Sequence, residues 1–210
     1  MGAVGRGGAL GGFLVGTLIY LCLDWRGFAV LALFVAGGSA LTRIGYAAKR
    51  RAGTAEARRG RRGARNALAN CGVAVICAVL AVVTPFPGAF TAAFAAALGA
   101  AFADTAESEV GQLSRRRPRL ITSLKPVAPG SDGAISAPGT AAGITAAGVT
   151  SLLALALGMV GGTAALVVWI AAFAGTVADS LVGALAPRIG NELTNVICTL
   201  VAALLALLLV

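Results

Sequence analysis

Two short segments hold most of the side chains able to do chemistry. Asp104, Glu107, Ser108 and Gly111 are spaced three and four apart, so a helix carries them on one face. Glu109 is rotated well off that face, and its plainest role is to neutralise nearby arginines. Asp179 sits in a second apolar stretch with Thr176 and Ser180 close by. The two segments echo each other: "AESEVG" at 106–111 matches "ADSLVG" at 178–183, pairing Glu107 with Asp179, Ser108 with Ser180 and Gly111 with Gly183. A third set, Asn191, Asn195 and Thr199, recurs every four residues where the last apolar run begins, with Glu192 beside it.

Carboxylates and amides gathered at one level suit a hard cation. Mg²⁺ prefers oxygen ligands, takes one or two protein carboxylates, and completes its shell with water and phosphate. Asp104, Glu107 and Asp179 are the expected ligands. The loop that follows the first segment offers what phosphates need: Arg115, Arg116, Arg117, Arg119 and Lys125, then the Pro/Gly-rich turn "PVAPGSDGA". Backbone N–H groups in such a turn can cradle an anion, and Lys125 is a compact point charge. The chain has no histidine, which removes the commonest general base and zinc ligand. Cys22, Cys71, Cys77 and Cys198 all lie in apolar runs without a C-x-x-C pair and read as small buried hydrophobes.

These residues must be positioned by membrane helices. Of 210 residues, 58% are hydrophobic and only 12% are charged, about half the charged share of an ordinary soluble domain. Several runs reach the ~17–25 residues that a spanning helix needs. The pattern predicts a single all-α transmembrane domain of about seven helices, near 8–23, 27–48, 66–84, 88–112, 138–158, 161–185 and 192–210. The first run ends in "YLCLDWRG", without a small-x-small cleavage pattern, and is read as a retained helix. Loops 49–65 and 113–137 carry most of the charge.

With the N-terminus inside, Arg26 is the one basic residue of 17 that falls on the outer side. The bias predicts a cytoplasmic N-terminus, a C-terminus on the far side and both long loops inside. The +9 net charge thus reports topology and anionic lipid rather than nucleic acid. Gly8, Gly12 and Gly16, and Gly158 and Gly162, have the small-xxx-small spacing of helix-packing faces. The fourth helix is nearly all Ala, Gly and Phe from 88 to 103, which places it at the bundle centre.

"ADTAESEVGQLS…PRLITSLKPVAPGSDGAIS…GTAAG" resembles domain-of-unknown-function family 92, as do "GGSALT" at 37–42, "RRGARNALANCGV" at 61–73, "ADSLVGA" at 178–184 and "NELTN" at 191–195. That family includes the transmembrane protein 19 group and a chloroplast phytyl-phosphate kinase. More distantly the pattern is similar to CTP-dependent dolichol and phytol kinases and to phosphatidate cytidylyltransferase. The resemblance implies that Asp104 and Glu107 are metal or nucleotide residues. It implies a phosphate loop of Lys125, Gly130, Asp132 and Gly133, and a site completed by Asp179 and Asn195; Ser108, Arg119 and Ser131 are further expected phosphate or nucleotide contacts, and Lys125 is expected to be catalytic with Asp104, Glu107 and Asp179. Asn66 stands where the family commonly has Gln, and little is assigned to it.

The function so implied is an isoprenoid (phytyl or polyprenyl) monophosphate kinase, with CTP as donor by analogy and Mg²⁺ as cofactor. The missing histidine fits, because a phosphate monoester is already an oxyanion near neutral pH and needs no base. The alternatives are a CTP-dependent prenol kinase, a lipid cytidylyltransferase, and an ion-coupled transporter, whose acids would lie near mid-membrane instead. The expected partners are an isoprenoid phosphate lipid, a nucleoside triphosphate and membrane lipid. Nucleic acid is not expected, and a homo-oligomer is left open. The expected location is the cell (plasma) membrane, multi-pass.

Overall fold

The structure is a computed structural model that describes residues 6–55 and 64–210. Arg58, Arg59, Arg61 and Arg62 of the basic loop lie outside the described residues. The described helices are α1 Arg6–Arg43, α2 Tyr46–Arg51, α3 Ala64–Val83, α4 Pro87–Gly111, α5 Ala137–Ala156, α6 Gly162–Leu185 and α7 Asn191–Leu209. All but α2 are long and apolar enough to cross a membrane. The chain is an all-α integral membrane protein, and Leu21, Val83, Leu185 and Leu208 are among the large side chains its outer surface exposes, as lipid contact requires.

α1 is folded back on itself. Leu23 and Asp24 leave helical geometry, Asp24 at φ 51° and ψ −158°, a positive-φ conformation that side-chain-bearing residues rarely adopt. The Asp24 carboxylate accepts a 2.7 Å hydrogen bond from the Arg26 backbone N–H, capping the second limb. A Cβ on Gly16 would lie 3.2 Å from the Phe28 ring and 4.0 Å from Leu31. A straight helix would separate those residues by roughly 18–22 Å, so the limbs are antiparallel neighbours. The sequence-predicted break between two helices is therefore real. The second limb stops at Arg43 rather than near 48, because Gly45 adopts φ 65° and the Leu113 side chain fills the space its Cβ would take.

α4 is the axis. It packs against α1, α3, α7, α6 and α5, which follow one another around it until α5 meets α1 again. Every residue from Ala92 to Ala103 is buried. Small side chains make this possible: a Cβ on Gly99 would lie 3.1 Å from that of Ala172, and one on Gly175 would lie 2.6 Å from the Cys198 carbonyl oxygen. Of the predicted packing stripes, Gly16 meets Phe28 across the α1 hairpin, while Gly12, Gly158 and Gly162 face open space. Glycine spacing marks a close crossing only where a neighbour arrives, and further neighbours arrive at Gly99, Gly139, Gly143 and Gly175.

The loop between α4 and α5 is not wholly irregular. Strands β1 Arg119–Leu120 and β2 Ala134–Ile135 pair antiparallel, Arg119 opposite Ile135, and β2 rests on α6. Two-residue strands carry no periodicity, so they left no trace in the sequence pattern.

Candidate functional site

The C-terminal end of α4 meets the N-terminal end of α5 through glycine. Ser136 caps α5, its Oγ accepting from the Gly139 N–H at 3.2 Å. A Cβ on Gly139 would stand 2.6 Å from the Glu107 carbonyl oxygen, closer than real contacts allow. That crossing brings Thr140 beside Glu107, where its hydroxyl donates to Oε1 at 3.0 Å. The Glu107 carboxylate also sits against Gly143, whose missing Cβ would be 3.4 Å from Oε2.

The loop reaches α6 in the same way. Gly133 has φ 71°, and its Cβ would lie 2.5 Å from the Ala184 backbone nitrogen and 2.6 Å from the Ser180 carbonyl oxygen. Gly183 returns the contact, with its Cβ position 2.9 Å from the Gly133 nitrogen. Glycine is thus required twice, and the pairing seats Asp132 next to Asp179, close enough for their charges to interact. Asp179 is likewise within reach of the Glu107 charge.

Between these elements lies a cavity of about 240 Å³. The two matching segments face it together: Glu107, Ser108 and Gly111 from α4, Asp179, Ser180 and Gly183 from α6. Asp104, Gly130, Ser131, Asp132, Gly133, Asn191 and Asn195 also line it. Cys198, buried on α7, lies within electrostatic reach of Asp104, Glu107 and Asp179 at once, so all three acids belong to one end of the bundle. Thr176 and Thr199 are fully buried and donate to carbonyls of their own helices. Glu192 is exposed and outside the lining.

Two expected members stand apart. Lys125 is exposed on the hairpin, and neither it nor Arg119 lines the cavity. The Arg119 guanidinium instead donates to the Leu124 carbonyl at 2.7 Å, holding a turn in which Leu124 is forced to φ 55°. Among the described residues the lining contains no Lys or Arg. It contains five carboxylates, those of Asp104, Glu107, Glu109, Asp132 and Asp179.

Glu109 is the clearest correction. It is buried rather than interfacial, and its Oε2 accepts from Lys49 Nζ at 2.6 Å, with side-chain exposures of 6% and 1%. Lys49 also donates to the Leu41 carbonyl at 3.0 Å. One helix of the α1 hairpin and the short α2 are thereby tied to the central helix by a charge-assisted bond. The sequence also undervalued three amides. Asn66 and Asn70 of α3, and Gln112 just past α4, line the same cavity. Asn66 Oδ1, Gln112 Oε1 and Asp179 Oδ1 are buried oxygens without a hydrogen-bond partner among the described residues.

Those oxygens test the fit to a cation. Among the described residues no three acidic, cysteine or histidine side chains converge closely enough to cage a metal ion. Asp104, Glu107 and Asp179 are therefore not a complete ligand set, because they approach from two helices across a cavity. Mg²⁺ does not need a complete protein cage, and a wall of carboxylates and amide oxygens with an unpartnered Asp179 Oδ1 suits an ion that brings water and phosphate with it.

A family model described as "Integral membrane protein DUF92" matches residues 1–203. An uncharacterised membrane protein of Synechocystis sp. is 34% identical over 93% of this chain and 78% of its own length. An uncharacterised membrane protein of Methanocaldococcus jannaschii is 35% identical over 96% of this chain and 83% of its own. Protein VTE6, chloroplastic, of Arabidopsis thaliana is 29% identical over 96% of this chain and 63% of its own. No solved structure matches.

Proposed function

We propose that this chain, which belongs to the DUF92 family of integral membrane proteins, is an isoprenoid-monophosphate kinase. It takes a phytyl or polyprenyl phosphate and a nucleoside triphosphate, CTP by analogy, and forms the diphosphate. The observation that carries the reading is the acidic cavity at one end of a lipid-embedded bundle, walled by Asp104, Glu107 and Asp179. Acids without a cation in their midst repel a triphosphate, so the site calls for a divalent ion that binds both. The likeness to VTE6 and the phytyl-phosphate kinase in the resembled family support the same substrate class.

Asp104 and Asp179 would hold Mg²⁺, with Glu107 fixed beside them by Thr140. The ion, when bound, offsets the negative charge on the phosphoryl group being transferred. The substrate's phosphate oxygen attacks the terminal phosphorus, and the bond from that phosphorus to the bridging oxygen breaks, releasing the nucleoside diphosphate. No side chain removes a proton, since the attacking group is already an oxyanion. Ser108, Asn191 and Asn195 donate hydrogen bonds to phosphate from the walls. The 130–133 turn closes the mouth against α6. Lys125 and the exposed arginines 115–117 form a basic rim that draws the nucleotide toward the cavity.

We place the cavity and the N-terminus on the cytoplasmic side of the cell membrane, because Arg26 alone of 17 basic residues falls opposite. The test is purified protein with Mg²⁺, CTP labelled at the α- or γ-phosphate, and phytyl or geranylgeranyl phosphate. Label passing from the γ-position to a lipid diphosphate supports the kinase. Label passing from the α-position, with pyrophosphate released, replaces it with a cytidylyltransferase. No transfer with any donor removes the enzyme reading.

A further inference from the structure

A second cavity, of about 460 Å³, opens on the outer surface between α5 and α6. Its walls are Ile144 of α5 and Leu166, Trp169, Ile170, Phe173, Ala174 and Val177 of α6. The α6 residues recur at three- and four-residue steps, so they form one stripe over three turns, roughly 16 Å long. That is about the depth of one leaflet of the hydrocarbon core.

The recess is built rather than incidental. The Trp169 indole N–H donates across it to the Ile144 carbonyl at 2.9 Å. Gly148 leaves the room, since a Cβ there would lie 3.2 Å from Nε1. With that N–H used, the walls offer hydrocarbon and aromatic faces alone, which suits a tail and not a headgroup.

The recess also leads somewhere. One step further along the α6 stripe, Val177 is followed at i+3 by Ser180, which lines the acidic cavity. On α5, Thr140 is one turn before Ile144 and holds Glu107 at 3.0 Å. The polar and apolar spaces therefore lie about one helical turn apart along the same two helices.

We infer that this groove seats the isoprenoid tail of the lipid phosphate whose head enters the acidic cavity. The inference rests on the kinase reading for the head and adds the path of the tail. It makes α5 and α6 the elements that measure chain length, with Ala174 as the narrowest side chain of the stripe.

The test compares wild type with Ala174→Trp, which fills the groove, and with Leu152→Trp, which places the same side chain at an exposed lipid-facing site on α5. Ala174→Trp should raise KM for geranylgeranyl phosphate about tenfold, while KM for dimethylallyl phosphate stays within about twofold, because only the long chain loses apolar contact. Leu152→Trp should change neither. Equal KM ratios in all three proteins would overturn the groove while leaving the kinase standing. A second readout does not need turnover: geranylgeranyl phosphate carrying a diazirine on its tail is photolysed with the wild-type protein in vesicles. Label on Phe173, Ala174 or Val177, competed by unlabelled geranylgeranyl phosphate and not by phosphatidylcholine, supports the groove. Label elsewhere, or competition by phosphatidylcholine, means that ordinary lipid occupies it and refutes the assignment.

Discussion

Lys49→Met should destabilise the protein far more than a surface charge deletion. Lys49 and Glu109 are almost fully buried and 2.6 Å apart, so removing the ammonium strands a poorly hydrated carboxylate at the edge of the acidic cavity. Breaking one side of such a pair costs about 3–5 kcal/mol. The loss also frees the Leu41 carbonyl, which Lys49 holds at 3.0 Å. Glu109→Gln should cost less, about 1–3 kcal/mol, since the ammonium keeps the Leu41 carbonyl and an amide oxygen as acceptors. Lys49→Met combined with Glu109→Leu should recover much of the loss, because no charge is then left buried. Unfolding in mixed micelles, followed by circular dichroism, gives the three values and, with the Glu109→Leu single variant measured alongside, the coupling of the pair. For a chain of this length about 3 kcal/mol corresponds to a midpoint roughly 6–12 °C lower. Lys49→Met within about 1 kcal/mol of wild type, or fully additive single and double effects, would refute the buried pair.

Asp104→Asn and Asp179→Asn should each lower kcat at least about 100-fold and raise the Mg²⁺ concentration needed for half-maximal turnover, with the folded protein still in the membrane; unchanged Mg²⁺ dependence in both argues against a metal role. Thr140→Val should reduce kcat/KM about three- to tenfold by releasing Glu107, measured by steady-state turnover. Lys125→Ala should raise the nucleotide KM about fivefold without changing kcat, an effect that high salt erases. Gly133→Ala should cost about 2 kcal/mol or more from its positive φ and its clash with α6, and should speed proteolysis of the 112–136 loop.

Much of this architecture was legible because lipid leaves little choice. Long apolar runs must be helices, and Asp24 with Arg26 inside one of them marks where the chain turns back. The 3.6-residue period put Asp104, Glu107 and Ser108 on one face, and the matched "AESEVG" and "ADSLVG" put their counterparts on α6. Lys49 was illegible for a definite reason. It opens the run "KRR", where every cation looks topogenic, and its partner lies 60 residues away. Glu109 was misread with it, since helical phase says which way a residue points but not what stands there. Asn66 and Gln112 carry no charge and stand beside longer polar runs, so nothing in the pattern raised them above their neighbours. Arg119 and Lys125 entered the expected site through the basic run, the Pro/Gly turn beside it and the family resemblance, whereas neither lines the cavity.

On the proposed kinase reading, the acidic wall and the helix ends would serve an ion and a phosphate together. α4 and α6 both end at the cavity, bringing the negative ends of two helix dipoles alongside Glu107 and Asp179. α5 and α7 both begin there: Ser136, Gly190 and Asn191 line the same space, and Gly190 gives α7 no side-chain cap. A helix start presents backbone N–H groups and partial positive charge, which favour an anion. The two halves of the wall thus have opposite preferences, cation on the α4 and α6 side and phosphate on the α5 and α7 side. A cavity meant for a metal alone would need no helix starts, and one meant for phosphate alone would not tolerate five carboxylates. On the proposed reading an ion held at the acid wall would serve both, and helix ends alternate with helix starts at this face of the bundle across the short α6–α7 connection and the longer 112–136 loop.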